Sequence, residues 1–176
     1  YSPARGVPAA LRRTPDFNRP LPDPDFSAGE TVIRVHLLNY RPEMGDKIQL
    51  YVNSILTGQP EYSAEIDPET GVAEFRFLQC GSAEAVVLYG YCGGDFWIAP
   101  GDDMDVWFDM RITGWLSRLH AMEQATGVYP ELPAMRTTYS TGKYSDLTAL
   151  CETYSRGRHY ALNLYSGEFA DYKMSA

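Results

Sequence analysis

At 176 residues the chain is long enough for one domain with a substantial core, or for one domain with an appendage. Its 44% hydrophobic and 22% charged content marks a globular chain rather than a disordered one. Fifteen Lys and Arg against 23 Asp and Glu leave a net charge of −8, which argues against nucleic acid as a partner, because the basic runs Leu11-Arg12-Arg13 and Arg156-Gly157-Arg158 are too short to offset it.

Residues 1–29 hold Pro3, Pro8, Pro15, Pro20, Pro22 and Pro24, which remove backbone donors and favour extended geometry. The segment reads as an extended lead-in strapped along a domain or as a linker, with Phe17, Leu21 and Phe26 as its anchors. Strand signals begin at Thr31. Ile33, Val35 and Leu37 share one face of the first strand, with Arg34 and His36 on the other. Over Lys47–Ser54, Ile48, Leu50 and Val52 point inward, while Gln49, Tyr51 and Asn53 point outward. Tyr62–Ile66 reads as a shorter strand, and Asp67-Pro68-Glu69-Thr70-Gly71 as a hairpin turn. Val72–Leu78 follows, with Ala73, Phe75 and Phe77 inward.

Glu84–Tyr91 is apolar on both parities and reads as a central strand covered on both faces. Gly93-Gly94 is then a turn into Phe96–Ile98. Pro100-Gly101-Asp102 has strong turn chemistry and leads into a strand with Met104, Val106, Phe108 and Met110 on one face and Asp105, Trp107 and Asp109 on the other. About seven short strands separated by turn signals predict an antiparallel β-sandwich or open barrel over residues 30–112, the sandwich being the favoured reading.

After Arg111 the period changes. Trp115, Leu116, Leu119 and Met122 recur at helical spacing, and Gly127, Pro130 and Pro133 stop that helix. Tyr144, Leu147, Leu150, Cys151 and Tyr154 mark a second helical face, with Ser145 or Thr141 as its N-cap and Gly157 near its end. Residues 113–176 therefore read as a small helical segment, or connector. Glu168–Ala176 looks like the start of a further helix, and Tyr1 is not an initiator Met, so the natural polypeptide is expected to extend beyond this chain. The fold class is mainly β with C-terminal helices.

The chemistry-bearing residues are sparse. Cys80, Cys92 and Cys151 form no C-x-x-C pair. A strand between Cys80 and Cys92 sets them on the order of 30–40 Å apart, whereas a disulfide needs Cα atoms within about 7 Å, so all three read as free thiols. His36, His120 and His159 have no i, i+4 metal spacing. Asp102, Asp103 and Asp105 offer oxygens to a hard cation, but in that position they read first as a polar turn and the outward side of a strand. There is no G-x-S-x-G elbow and no phosphate loop. No catalytic, metal or cofactor site is read from the sequence. Trp97, Trp107 and Tyr51 fall on outward strand positions, where aromatic side chains either stack a ligand such as a sugar or pack beneath the C-terminal helices. The helices are the favoured cover, because Trp115 and the Tyr144 helix need a surface.

The run Thr31-Val32-Ile33-Arg34-Val35-His36-Leu37-Leu38-Asn39-Tyr40-Arg41-Pro42 and the turn Ala99-Pro100-Gly101-Asp102 resemble elements of a known module. So do Asn53–Gly58, Gly142-Lys143-Tyr144-Ser145-Asp146-Leu147 and Gly167–Ser175. Together they resemble the non-catalytic N-terminal β-domain, with its helical connector, of envelope thiol–disulfide oxidoreductases of gut bacteria, of the TlpA-like or thioredoxin type. The resemblance implies a thioredoxin-like domain following in cis, a location in the cell envelope or periplasm, and membrane attachment only through an upstream lipid anchor. The catalytic C-x-x-C of that family belongs to the downstream domain, so no catalytic residue carries over. The alternative is a carbohydrate- or peptide-binding sandwich module of a surface protein, with glycans or envelope proteins as partners. A small hydrolase would instead require a cleft with converging titratable groups of shifted pKa.

Overall fold

The structure, a computed structural model, describes residues 6–13, 18, 20–90, 92–127 and 136–152. Phe17, His159, Tyr154, Gly157 and the expected helix over 168–176 lie outside the described residues, as do the side chains of Cys92, Leu116 and His120.

The chain folds as a mainly β protein. Its strands are β1 (Ala28–Leu38), β2 (Lys47–Asn53), β3 (Glu61–Glu65), β4 (Val72–Cys80), β5 (Ala83–Tyr89), β6 (Cys92–Ile98), β7 (Asp103–Asp109) and β8 (Thr138–Ser140). One sheet has the order β4-β1-β7-β8, the other β3-β2-β5-β6. The alternation read from the sequence fills the space between them. Ile33, Val35, Ile48, Leu50, Val52, Val87, Phe96, Ile98, Met104, Val106 and Phe108 are all fully buried in one core. Each such side chain contributes roughly 1.5–3 kcal/mol through removal of apolar area from water.

Period-2 patterning encodes a strand's face but not its neighbour, and the structure differs from expectation where neighbours matter. Neither the hairpin expected at 67–71 nor the turn expected at 100–102 joins paired strands. The turn after β3 carries the chain from one sheet to the other, held by Gly71 N–H to the Asp67 carbonyl at 2.8 Å and by Asp67 N–H to the Val72 carbonyl at 2.9 Å. Pro100-Gly101 likewise crosses between sheets. As a result β7 pairs in parallel with β1, Val35 opposite Val106, inside an otherwise antiparallel arrangement. Asp102 organises this crossing: its carboxylate accepts the Ala99 N–H at 2.8 Å and its carbonyl accepts the Val32 N–H at 2.8 Å. Gly101 takes φ 79° there, a left-handed conformation that glycine adopts without steric cost.

Gly93 and Gly94 lie inside β6 and are not a turn. A Cβ on Gly94 would overlap the Phe108 ring, so glycine is needed for β6 to close against β7. β5 is central in its sheet, between β2 and β6, but its outer face is only partly covered, and Leu88 remains exposed.

Helix α1 (Met110–Thr126) starts directly after β7. Asp109, expected at an outward strand position, is buried: its carboxylate accepts the Arg111 N–H at 3.0 Å and the Asn39 side-chain amide at 3.1 Å. It thus satisfies an N-terminal helix donor. α1 docks through Met110, Ile112 and Thr113, while Trp115 and Met122, expected to be buried, are 44% and 54% exposed. The helix ends at Thr126, and Gly127 follows with φ 68°, as its position suggested.

The segment expected to be purely helical connector supplies β8 to the first sheet. Thr141 does not cap the next helix. It extends the β7–β8 ladder, donating its N–H to the Asp105 carbonyl at 2.9 Å and accepting the Asp105 N–H at 2.8 Å. Helical residues resume over 145–152, where Tyr144, Thr148 and Ala149 are buried and Leu147 and Leu150 only half-buried. The small pair Thr148-Ala149, rather than the leucines, allows the close approach to the sandwich.

The lead-in is strapped to the domain, though not by the residues expected. Leu21 and Phe26 are exposed, and Val7 is the buried apolar anchor. Polar bonds do the rest. Asp25 N–H donates to Ser82 Oγ at 2.8 Å, Ser82 N–H donates to the Asp25 carbonyl at 2.7 Å, and Tyr144 Oη donates to the Asp23 carbonyl at 2.9 Å.

Candidate ligand-binding cleft

β6 is an edge strand, and residues 145–152 run along its open side. Trp97 N–H, which points away from β5, donates to Thr148 Oγ1 at 3.0 Å. The side chains at 148, 151 and 152 share one helical face. Between this face and the strand lies a cleft of about 200 Å³, lined by Glu84, Asp95, Trp97, Thr137, Thr138, Cys151 and Glu152 among others. Gly93 and Gly94 also line it.

The electrostatics of the cleft are acidic. Glu84 on β5 and Asp95 on β6 both point outward, two residue pairs apart along the ladder. Asp95 is open to solvent at the mouth, yet the surrounding protein, followed by the charges of Glu84 and Glu152, pushes its pKa up. Glu152 is more firmly held: its Oε1 accepts the Thr137 N–H and hydroxyl, each at 2.5 Å, and the Thr138 N–H at 3.3 Å. Arg136 lies 3.9 Å from its other oxygen and 4.5 Å from the centre of the Tyr139 ring. Burial raises the pKa of the Cys151 thiol, the Trp97 side chain opposes this by hydrogen bonding to it, and the charges of Glu84 and Asp95 raise it further. The thiol is held protonated, the less nucleophilic form. The arrangement suits a neutral or cationic polar ligand laid against Trp97. It disfavours an anion.

The three aromatic residues singled out by parity do not form one platform. Trp97 borders the cleft, its backbone N–H bonding Thr148 and its side chain hydrogen-bonding the Cys151 thiol. Tyr51 lies on the same sheet but two strands away, roughly 10–12 Å at ordinary strand spacing. Trp107 is on the outer face of the opposite sheet, not beside Trp97. It is half-buried, with His36 stacked on it at 4.9 Å between ring centroids.

The acidic turn residues are all engaged structurally. Asp103 pairs with Arg34 at 2.6 Å and Asp105 with His36 Nε2 at 2.6 Å. Among the described residues no group of three or more His, Cys, Asp or Glu is arranged to hold a metal ion. Cys80 and Cys151 are free thiols.

The parity argument identified Trp97 but missed the rest of its cleft. Glu84 and Asp95 carried a signal, as outward carboxylates on neighbouring strands around a glycine pair. Thr137, Thr138, Cys151 and Glu152 arrive from distant chain segments. No protein-family model matches the chain, and no curated protein matches it.

Proposed function

We propose that this chain is a non-enzymatic accessory domain of an envelope thiol–disulfide oxidoreductase, holding a thioredoxin-like domain in cis near its substrates. The observation that carries this reading is the anchoring of residues 145–152. The Trp97–Thr148 bond and the bonds from Thr137 and Thr138 to Glu152 fix this segment to the sandwich edge. Glu152 is therefore held at a defined place on the sandwich edge, as a domain-positioning role requires. The elevated pKa of Cys151 agrees with a domain that does no thiol chemistry of its own. The resemblance described above supplies the identity of the partner domain. Reduction of insulin disulfides by the isolated chain tests the non-enzymatic half of the proposal. No rate above the dithiothreitol background is expected, and turnover dependent on Cys151 would overturn it.

The cleft beside Trp97 favours a second reading, a carbohydrate- or peptide-binding module. A glycan array and a panel of basic peptides, each probed with the native chain and with Trp97→Ala, decide it. Binding lost in the variant supports this reading, and the absence of binding removes it.

A further inference from the structure

β4 is a nine-residue edge strand. Among the described residues, no strand lies on its side away from β1. Its backbone orientation follows from one bond. Leu37 N–H donates to the Gly71 carbonyl at 2.9 Å, so in this antiparallel register Ala73, Phe75, Phe77 and Gln79 aim their backbone groups at β1. Glu74, Arg76 and Leu78 aim theirs at the open side. The Val72 carbonyl also points that way and accepts the Asp67 N–H. The outward side chains on this strand are Glu74, Arg76 and Leu78, the last 68% exposed. An edge of this length with unpaired backbone groups is a template for strand addition.

We propose that β4 is a dimerisation edge that pairs antiparallel with β4 of a second copy of this chain, with Phe75 on the two-fold axis. Charge favours one register, with Glu74 and Arg76 sharing their intrachain partners Arg34 at 3.6 Å and Glu30 at 3.2 Å with the second copy. With Phe75 at the centre, Glu74 of each copy faces Arg76 of the other, and Val72 faces Leu78. Glu74 and Arg76 have outward backbone groups and form the hydrogen-bonded pairs of the new ladder, whereas the Val72 carbonyl is already taken by the Asp67 N–H, so Val72 and Leu78 meet through side chains only. Sliding the register by two residues either way, the smallest shift that keeps these groups facing, opposes Arg76 to Arg76 or Glu74 to Glu74. Like charges directly opposite destabilise a strand pair, so one register stands out. The contact is isologous and closes after two copies. It joins the two four-stranded sheets containing β4 into one continuous sheet.

Sedimentation velocity over a concentration series tests this, with far-UV circular dichroism to confirm folding. The native chain is expected to show a monomer–dimer equilibrium. Glu74→Arg and Arg76→Glu should each weaken it roughly tenfold or more, because the two-fold repeats every like-charge contact. The double variant E74R/R76E recreates complementary pairs across the seam, although it opposes like charges to Arg34 and Glu30 within the chain, and should dimerise more tightly than either single variant. A native chain that stays monomeric at all concentrations overturns the proposal. So does a dimer that neither single reversal weakens, or a double variant that dimerises no more tightly than the single ones. Leu78→Glu, at an exposed position opposite Val72, provides the test should either reversal fail to fold: it weakens the dimer if the proposal holds, and an unchanged dimer overturns it.

Discussion

The imidazole of His36 lies nearly parallel to the indole of Trp107, 9° between planes, while its Nε2 sits 2.6 Å from Asp105 Oδ1. Two outward residues of neighbouring parallel strands thus form an aromatic pair, and the adjacent carboxylate holds the imidazole in place. Such pairs contribute about 0.5–1.5 kcal/mol beyond area burial. His36→Ala should therefore lower the unfolding free energy by about 1 kcal/mol, read as a lower urea midpoint with unchanged slope. An unchanged midpoint would show that the stack contributes nothing to stability.

Gly94 and Gly101 separate two reasons for glycine. At Gly94 the backbone is unexceptional, but a methyl group would overlap the Phe108 ring. Gly94→Ala should cost about 2 kcal/mol or more through core overpacking. At Gly101 nothing lies within 4 Å of the would-be Cβ, and only the positive φ resists substitution. Gly101→Ala should cost about 1 kcal/mol. Thermal denaturation of both variants checks the order; a reversed order would contradict the close packing of β6 on β7.

These two glycines also show how far the sequence could be read. Inward rows such as Ile48, Leu50 and Val52 were legible because alternation reports a face. Which sheet a strand joins was not. Pro100-Gly101-Asp102 has the chemistry of a turn whether the next strand pairs with the last or crosses to the opposite sheet, and only the packing of the whole core decides. Asp109 is a similar case. Its place in an alternating row hid an N-cap signal that its position just before a helix carried. The cleft was least legible, because its walls come from four separated segments and no local period links Glu84 to Glu152.

Two aspartates titrate in opposite senses. Hydrogen bonds from Ser27, first by its side chain and then by its backbone, and from Lys143 hold Asp25 down to about 2. Its contribution to stability is present above the ordinary carboxylate pKa and is lost as pH falls toward 2. Asp95 is pushed up, so it favours the folded state when protonated, and that benefit is lost as pH rises through its folded value. At pH 7, Asp95→Asn should be neutral to slightly stabilising, by less than about 1 kcal/mol given its solvent screening. Asp25→Asn should be destabilising at pH 7 and lose that effect in acid. Urea titrations of both variants at pH 3 and pH 7 check the two signs.

The Cys151 thiol, raised by burial and by nearby carboxylates, should react slowly with iodoacetamide at neutral pH. Trp97→Phe removes the one interaction that favours the thiolate and should slow it further. Peptide mapping by mass spectrometry resolves the site. Faster alkylation in Trp97→Phe would show that the indole acts mainly as a steric cover.

The proposed positioning role requires a redox domain encoded downstream of this sandwich. Reading the coding sequence onward from Ala176 tests that most directly. The proposed role predicts an in-frame thioredoxin-like domain bearing a C-x-x-C motif. A stop codon, or a continuation without that domain, would contradict it.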